Sequence, residues 1–388
     1  MPHHMYAAVD IGGTKIAAAL VAPEGTLLTR VESPTPARAA ADVVMGTVAG
    51  LIAELAADPR WAAVAGVGIG SAGPVDPTRG TVSPVNIPAW RDFPLVDRVA
   101  QLAPVAQGGV GGGGLKVVLL GDGSAMAAGE HWRGSARGYD NALCLVVSTG
   151  VGAGLILDGE LRTGPSGNAG HLGHISVDFE GEDCPCGSRG CLERYASGTA
   201  IAKWAVQHGW RPEGGSVGVT ATATAAASAS SSASATAIAS ASTSTSATGS
   251  SATAAASGSS TEAEFRIATS DNVVGRPATA ADVAASALRG NEIALAAFDR
   301  AGRALAAGIA STAMLVDIRA AVIGGGVAKA GSLLLDPLVH HLARYASLPF
   351  TRSLAVLPAT LGADAGLIGA AAAIAAATTT LEADRRQP

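Results

Sequence analysis

Aromatic residues are scarce: Phe, Trp and Tyr together make up 4% of the 388 residues. Binding single-stranded nucleic acid uses such rings as stacking platforms, so that class is set aside. A basic excess is missing too. The formal net charge is −5, which leaves no cationic footprint for nucleic-acid phosphates. The opening residues, MPHHMYAAVDIGG, lack the basic start of a secretory leader. The Ala-rich run AGLIGAAAAIAAATTT reads as a packing helix, too short and too weakly apolar to span a bilayer. No GxxxxGK[ST] phosphate loop occurs. These absences point to a cytoplasmic protein with neither a nucleic-acid nor a membrane partner.

Cysteine is rare as well, with 4 in the chain. Cys144 lies in the apolar run NALCLVVSTG and reads as an inert core residue. Cys184, Cys186 and Cys191 instead fall within eight residues as C-x-C-x4-C, the first of them ten residues after His174. Three thiolates and one imidazole can close a tetrahedral zinc sphere, and a closed sphere makes the ion structural rather than catalytic. Buried or disulfide-paired cysteines are the alternative, disfavoured without a secretory context. The same stretch carries His171 and Glu193, which such an ion could hold rigid against a substrate.

A chain of this length has room for two domains and a sizeable core. Two short apolar runs, YAAVD and KIAAALV, joined by IGGT, predict a β-hairpin. A helix is predicted around ADVVMGTVAGLIAELAAD and a strand at AAVAGVGIG. Residues 108–114, GGVGGGG, read as a flexible connection into LKVVLLGD, long enough for one buried strand. A helix at SAMAAGEHW and a strand pair over NALCLVVSTGVGAGLILDGEL follow. Residues 214–260 contain almost nothing but Ala, Ser, Thr and Gly and read as a disordered low-complexity insertion. A helical pattern over TAADVAASALRGNEIALAAFDRAGRALAAGIASTAML precedes the strand AAVI, a helix at SLLLDPLVHHLARYAS and a final Ala-rich helix. Strands alternating with helices, twice over, predict an α/β fold of two lobes.

Three glycine turns each close an apolar strand. Asp10, Gly12, Gly13 and Thr14 in VDIGGTK set a carboxylate beside exposed backbone N–H groups, a pattern suited to phosphate and Mg²⁺, though equally that of a plain tight turn. STGVGAG repeats it at 148–154, and Gly324, Gly325 and Gly326 could line an adenosine. Asp122 ends LKVVLLGD, where a carboxylate can serve as general base toward a hydroxyl or as an ordinary helix N-cap.

VDIGGTK, the strand-ending Asp122, STGVGAG, AGHLGH, CPCGSRGCLERYASG and LGADAGLIGAA resemble, in that order, the sugar kinases of the repressor/ORF/kinase (ROK) family. The match spans essentially the whole chain apart from the low-complexity insertion. The resemblance implies the two-lobed actin-like ATPase (ribonuclease H-like) fold with a cleft between lobes. The expected lobes are residues 5–121, on which a helix at about 364–380 packs back, and residues 122–363. It implies transfer of the ATP γ-phosphoryl group to a sugar, commonly at O6 of a hexose such as glucose. Asp122 then matches the base; Asn86, His174 and Glu193 match sugar contacts, and His171 falls at a further sugar-facing position. Asp10, Gly12, Gly13, Thr14, Lys15, Thr149, Gly150 and Gly324–Gly326 fall to the nucleotide and Mg²⁺, and His174, Cys184, Cys186 and Cys191 to structural Zn²⁺. A homodimer is the assembly the resemblance leads one to expect. A sugar-sensing repressor of this family would place a helix-turn-helix domain ahead of Asp10, where nine residues stand. Two departures bear on the sugar. Gly121 stands where the family commonly has Asn, and His171 where it commonly has Glu, which points to an N-acetylhexosamine or fructose as the alternative acceptor.

Overall fold

The computed structural model describes residues 4–108, 113–212 and 277–384. The low-complexity stretch and the middle of the 108–114 glycine run lie outside the described residues. The first strands, β1 (Met5–Ile11) and β2 (Lys15–Val21), pair antiparallel as the hairpin pattern predicts. Strand β3 (Leu27–Pro34) extends the meander beyond β2. Helix α1 (Ala41–Ala56) buries Val44, Met45, Val48, Leu51, Ile52 and Leu55, a single stripe at helical spacing, against one face of the sheet. Strand β4 (Val64–Ser71) then pairs parallel with β1. A two-stranded ribbon, β5 (Val75–Asp76) and β6 (Thr81–Val82), and the short helices α2 (Leu95–Ala100) and α3 (Ala103–Ala106) lead to β7 (Lys116–Gly121).

The first sheet therefore runs β3-β2-β1-β4-β7. Strand β7 is its edge, bonded to β4 alone, rather than a central strand. It still reads as an apolar run because Leu119 and Leu120 are buried.

With no loop between, β7 passes into α4 (Asp122–Arg133). A second sheet follows from β8 (Ala142–Val147), β9 (Val151–Leu157) and β10 (Glu160–Arg162). Helices α5 (Glu193–Ala196) and α6 (Gly198–Gln207) come next. The long helical pattern after them is two helices, α7 (Ala280–Leu288) and α8 (Glu292–Val316). They divide where Gly290 takes φ +86° and Asn291 caps α8 through the Ala294 N–H. Strand β11 (Ala320–Gly324), helix α9 (Ser332–Tyr345) and strand β12 (Ala355–Pro358) complete the order β10-β9-β8-β11-β12.

Helix α10 (Ala365–Asp384) returns to the first sheet, where Leu367, Ala370, Ala371 and Ile374 pack on Ala8, Ala17 and Ala19. Its 20 residues correct the expectation of a run too short for a membrane span. By length and composition alone the window Gly362–Thr379, with mean hydropathy 1.3, could cross one. Small residues instead let it lie backbone to backbone on its neighbours. A Cβ at Gly369 would run into the Ala125 carbonyl of α4, and one at Gly68 of β4 into the Ala370 carbonyl. Helix α10 thus touches both the first sheet and the helix that begins with Asp122.

Candidate active site

Asp122 is the first helical residue of α4, with Gly121 at the N-cap position, so it is not the cap that its place in the sequence allowed. One carboxylate oxygen accepts the Gly123 N–H at 2.7 Å. Close packing fixes it further: a Cβ on Gly123 would lie 2.5–2.7 Å from the Ala153 backbone, and one on Gly152 would lie 3.3 Å from Asp122 Oδ1. Asp122 is exposed at its surface yet ringed by protein. Burial raises its pKa, opposed by the Gly123 N–H and the charge of His171. Asp10, at the end of β1, is pushed up to about 6 by burial first and the Asp122 charge second, against Lys15 and Arg30. The charge of Asp122, from one half of the chain, therefore acts on Asp10 from the other. Gly70 and Gly366 leave Asp10 its space, a Cβ on Gly366 falling 2.8 Å from its carboxylate.

The first glycine turn closes through the Gly12 N–H to the Lys15 carbonyl at 3.0 Å, and Thr35 donates its hydroxyl to the Gly12 carbonyl at 2.7 Å. Asn86 lies directly against Gly13, where any Cβ would collide with its side chain. Thr14 is exposed, while Lys15 is ion-paired with Glu32 at 3.2 Å. In the second turn, the Ser148 N–H reaches the Gly150 carbonyl at 2.9 Å and Thr149 is exposed. Gly324 is buried as the last residue of β11, whereas Gly325 and Gly326 are exposed. A Cβ on Gly325, with φ +91°, would strike the Val147 backbone, and one on Gly326 would lie 3.7 Å from Ser148 Oγ. The second and third turns are thereby neighbours.

Glu193 begins α5 and accepts the Val151 N–H at 3.1 Å. His171 is exposed, and its ring lies roughly parallel to that of His174 with centroids 6.0 Å apart. Its Cε1 is 3.8 Å from where a Cβ on Gly73 would sit. Donor atoms of His174, Cys184, Cys186 and Cys191 all lie within 4.8 Å of one another. Cys184 Sγ is 3.8 Å from His174 Nδ1, and Cys186 and Cys191 sulfurs are 3.6 Å apart. Zinc bonds of about 2.3 Å to sulfur and about 2.0 Å to nitrogen put tetrahedral neighbours roughly 3.5–3.8 Å apart, so the donor set fits that ion. All four cysteines are free thiols, which sets the disulfide alternative aside.

Supports of the site went unread in the sequence. Arg91 donates to the carbonyls of Pro84 at 2.9 Å and Trp90 at 2.8 Å, clasping the loop that carries Asn86. Thr199 donates to the Thr149 carbonyl at 3.0 Å. Neither has a signal in the pattern of residue types, because each acts on main-chain carbonyls, those of Arg91 close in sequence and that of Thr199 distant.

The sequence model of the ROK family matches residues 6–377. The glucokinase of Thermotoga maritima is 31% identical over 376 residues, 96% of this chain and 98% of that protein. The N-acetylmannosamine kinase of Yersinia pseudotuberculosis is 40% identical over 204 residues, 53% of this chain and 64% of that protein. A crystal structure of a ROK family glucokinase from Streptomyces griseus with glucose and AMPPNP aligns at a TM-score of 0.67 and 31% identity, over 95% of this chain and 98% of that one.

Proposed function

The chain belongs to the ROK family, and from that membership we propose that it transfers the γ-phosphoryl group of ATP to the 6-hydroxyl of glucose. It is an ATP-dependent sugar kinase. Glucose is favoured as acceptor because the glucokinases of Thermotoga maritima and Streptomyces griseus are each 31% identical over 98% of their own length, whereas the Yersinia N-acetylmannosamine kinase match at 40% identity covers 53% of the chain.

The reading is carried by Asp122, an accessible carboxylate with a raised pKa whose charge acts on Asp10. A pKa lifted toward the working pH suits a general base, which takes the hydroxyl proton as the sugar oxygen attacks phosphorus. Glu193, His174, His171 and Asn86 hold the sugar hydroxyls and orient that oxygen. The backbone of Gly12, Gly13 and Thr14, with Lys15 nearby, receives phosphate oxygens from one side. Thr149 and Gly150 receive them from the other, and Gly324–Gly326 border the nucleoside. Mg²⁺, when bound, offsets phosphate charge, and Asp10 is the carboxylate placed to hold it directly or through water. Zinc on His174, Cys184, Cys186 and Cys191 is structural, keeping the loop before Glu193 in place.

Asp122→Asn tests the base. Turnover should fall by about 10²–10⁴ while calorimetry still detects glucose binding, and near-normal turnover refutes the assignment. A second acceptor class is favoured by His171 and Gly121, which replace a carboxylate and an amide. A coupled ADP-release assay over glucose, fructose, N-acetylglucosamine and N-acetylmannosamine decides between them, since the highest kcat/KM belongs to the sugar the site was built for.

A further inference from the structure

The segment Glu193–Thr199 grips the second glycine turn at successive points. Glu193 takes the Val151 N–H at 3.1 Å, the Gly198 N–H donates to the Ser148 carbonyl at 2.7 Å, and the Thr199 hydroxyl donates to the Thr149 carbonyl at 3.0 Å. The grip is local and stiff. Ser197 caps α6 by accepting the Ala200 N–H at 3.1 Å, which fixes Gly198 and Thr199 relative to α5. Gly198 approaches so closely that a Cβ there would lie 3.1 Å from the Ser148 carbonyl oxygen. The far side of the turn is equally confined, since Gly173, one residue before His174, lies against the Val151 carbonyl. Residues read as sugar contacts and a turn read as a phosphate contact thus share one short piece of framework.

We infer that Thr199 is a positioning residue for the phosphoryl donor, and that Glu193–Thr199 couples the sugar side of the site to the nucleotide side. The inference rests on the kinase reading for the identity of the two ligands. A carbonyl held by a hydroxyl fixes the peptide planes of Thr149–Gly150, and with them the N–H groups presented to phosphate. Thr199 touches neither ligand in this scheme. Glu193 keeps one oxygen on Val151 and offers the other to a sugar hydroxyl, so drawing Glu193 into place also settles the turn. Sugar should then tighten nucleotide binding, and by reciprocity nucleotide should tighten sugar binding by the same factor.

The test is Thr199→Val, which keeps the branched shape and removes the donor, beside Thr199→Ser, which restores it. Loss of one hydrogen bond of this kind should weaken ADP binding by about 2- to 10-fold, measured calorimetrically with glucose and Mg²⁺ present. Glucose binding alone and the melting temperature should stay unchanged, because Thr199 is exposed. The Ser variant should return to the wild-type value. In steady state, KM for ATP should rise in Thr199→Val with KM for glucose nearly constant. Unaltered ADP affinity in Thr199→Val overturns the inference, as does an equal loss in the Ser variant or a factor-free response of ADP affinity to glucose in the wild type. Because ADP binding requires no turnover, a wild-type protein that binds ADP but phosphorylates no sugar would sink the kinase reading and still leave the positioning role measured.

Discussion

Replacing Asp10 by Asn should make the ligand-free protein more stable at neutral pH, although it removes a group proposed to hold the metal–nucleotide. Burial and the neighbouring Asp122 charge raise the Asp10 pKa from 3.8 to about 6. Between those two values the folded state keeps a proton that the unfolded chain releases. Stability must therefore fall as pH rises through that window, and the loss is complete above it. A shift of about 2 units at 1.36 kcal/mol each sets the cost near 3 kcal/mol. Asn has no charge to bury, so Asp10→Asn should recover up to about 3 kcal/mol at pH 7.5 and almost nothing below pH 4, an increase in Tm of roughly 3–6 °C. Urea unfolding followed by tryptophan fluorescence, from pH 4 to 8, reads the difference directly. Parallel stability curves for the two proteins, or a less stable variant at pH 7.5, would refute the reasoning. The Asp122 contribution can be separated: Asp122→Asn should lower the Asp10 pKa and narrow the window from its upper side.

Metal analysis of purified protein should return about one zinc per chain, and Cys191→Ser should lose it together with sugar binding; fully active metal-free protein contradicts the site. Gly369→Ala should destabilise by roughly 3 kcal/mol, because its Cβ meets the rigid Ala125 carbonyl rather than a side chain that can turn aside; an unchanged unfolding midpoint would show that α10 can shift. His171→Glu should move the ratio of kcat/KM values across the sugar panel by at least about 10-fold, and an unmoved ratio removes His171 from selectivity.

Patterns confined to neighbouring residues were legible. The hairpin at Asp10 follows from two apolar runs split by glycines, and the His174–Cys191 cluster from ligand spacing, because each is set within one short continuous stretch of chain. The start of α4 was not. The pattern leaves Asp122 in the strand run and begins the helix at Ser124, but Asp122 and Gly123 are already helical, and the Ala153 backbone leaves no room for a Cβ at Gly123. A glycine demanded by tertiary approach looks the same in sequence as one demanded by a turn. Nor does an apolar run tell an edge strand from a central one: β7 bonds to β4 alone, yet Val118 on its face packs against α10.

The residues proposed to do chemistry and those that hold them differ in how they announce themselves. Asp10 and Asp122 can be picked out as carboxylates beside glycines where an apolar strand run ends, and Glu193 because it follows directly on the cysteine cluster. Thr199 and Arg91 act through main-chain carbonyls of residues 50 and 7 or fewer positions away, and a hydrogen bond to backbone places no demand on the partner's side chain. No pairing of residue types therefore records it. If the grip on Thr149 matters as argued, a site transplanted by its carboxylates, histidines and glycine turns alone should bind sugar yet hold nucleotide poorly. Adding Thr199 and its cap Ser197 should repair the nucleotide side first, because the turn they hold is the one facing phosphate.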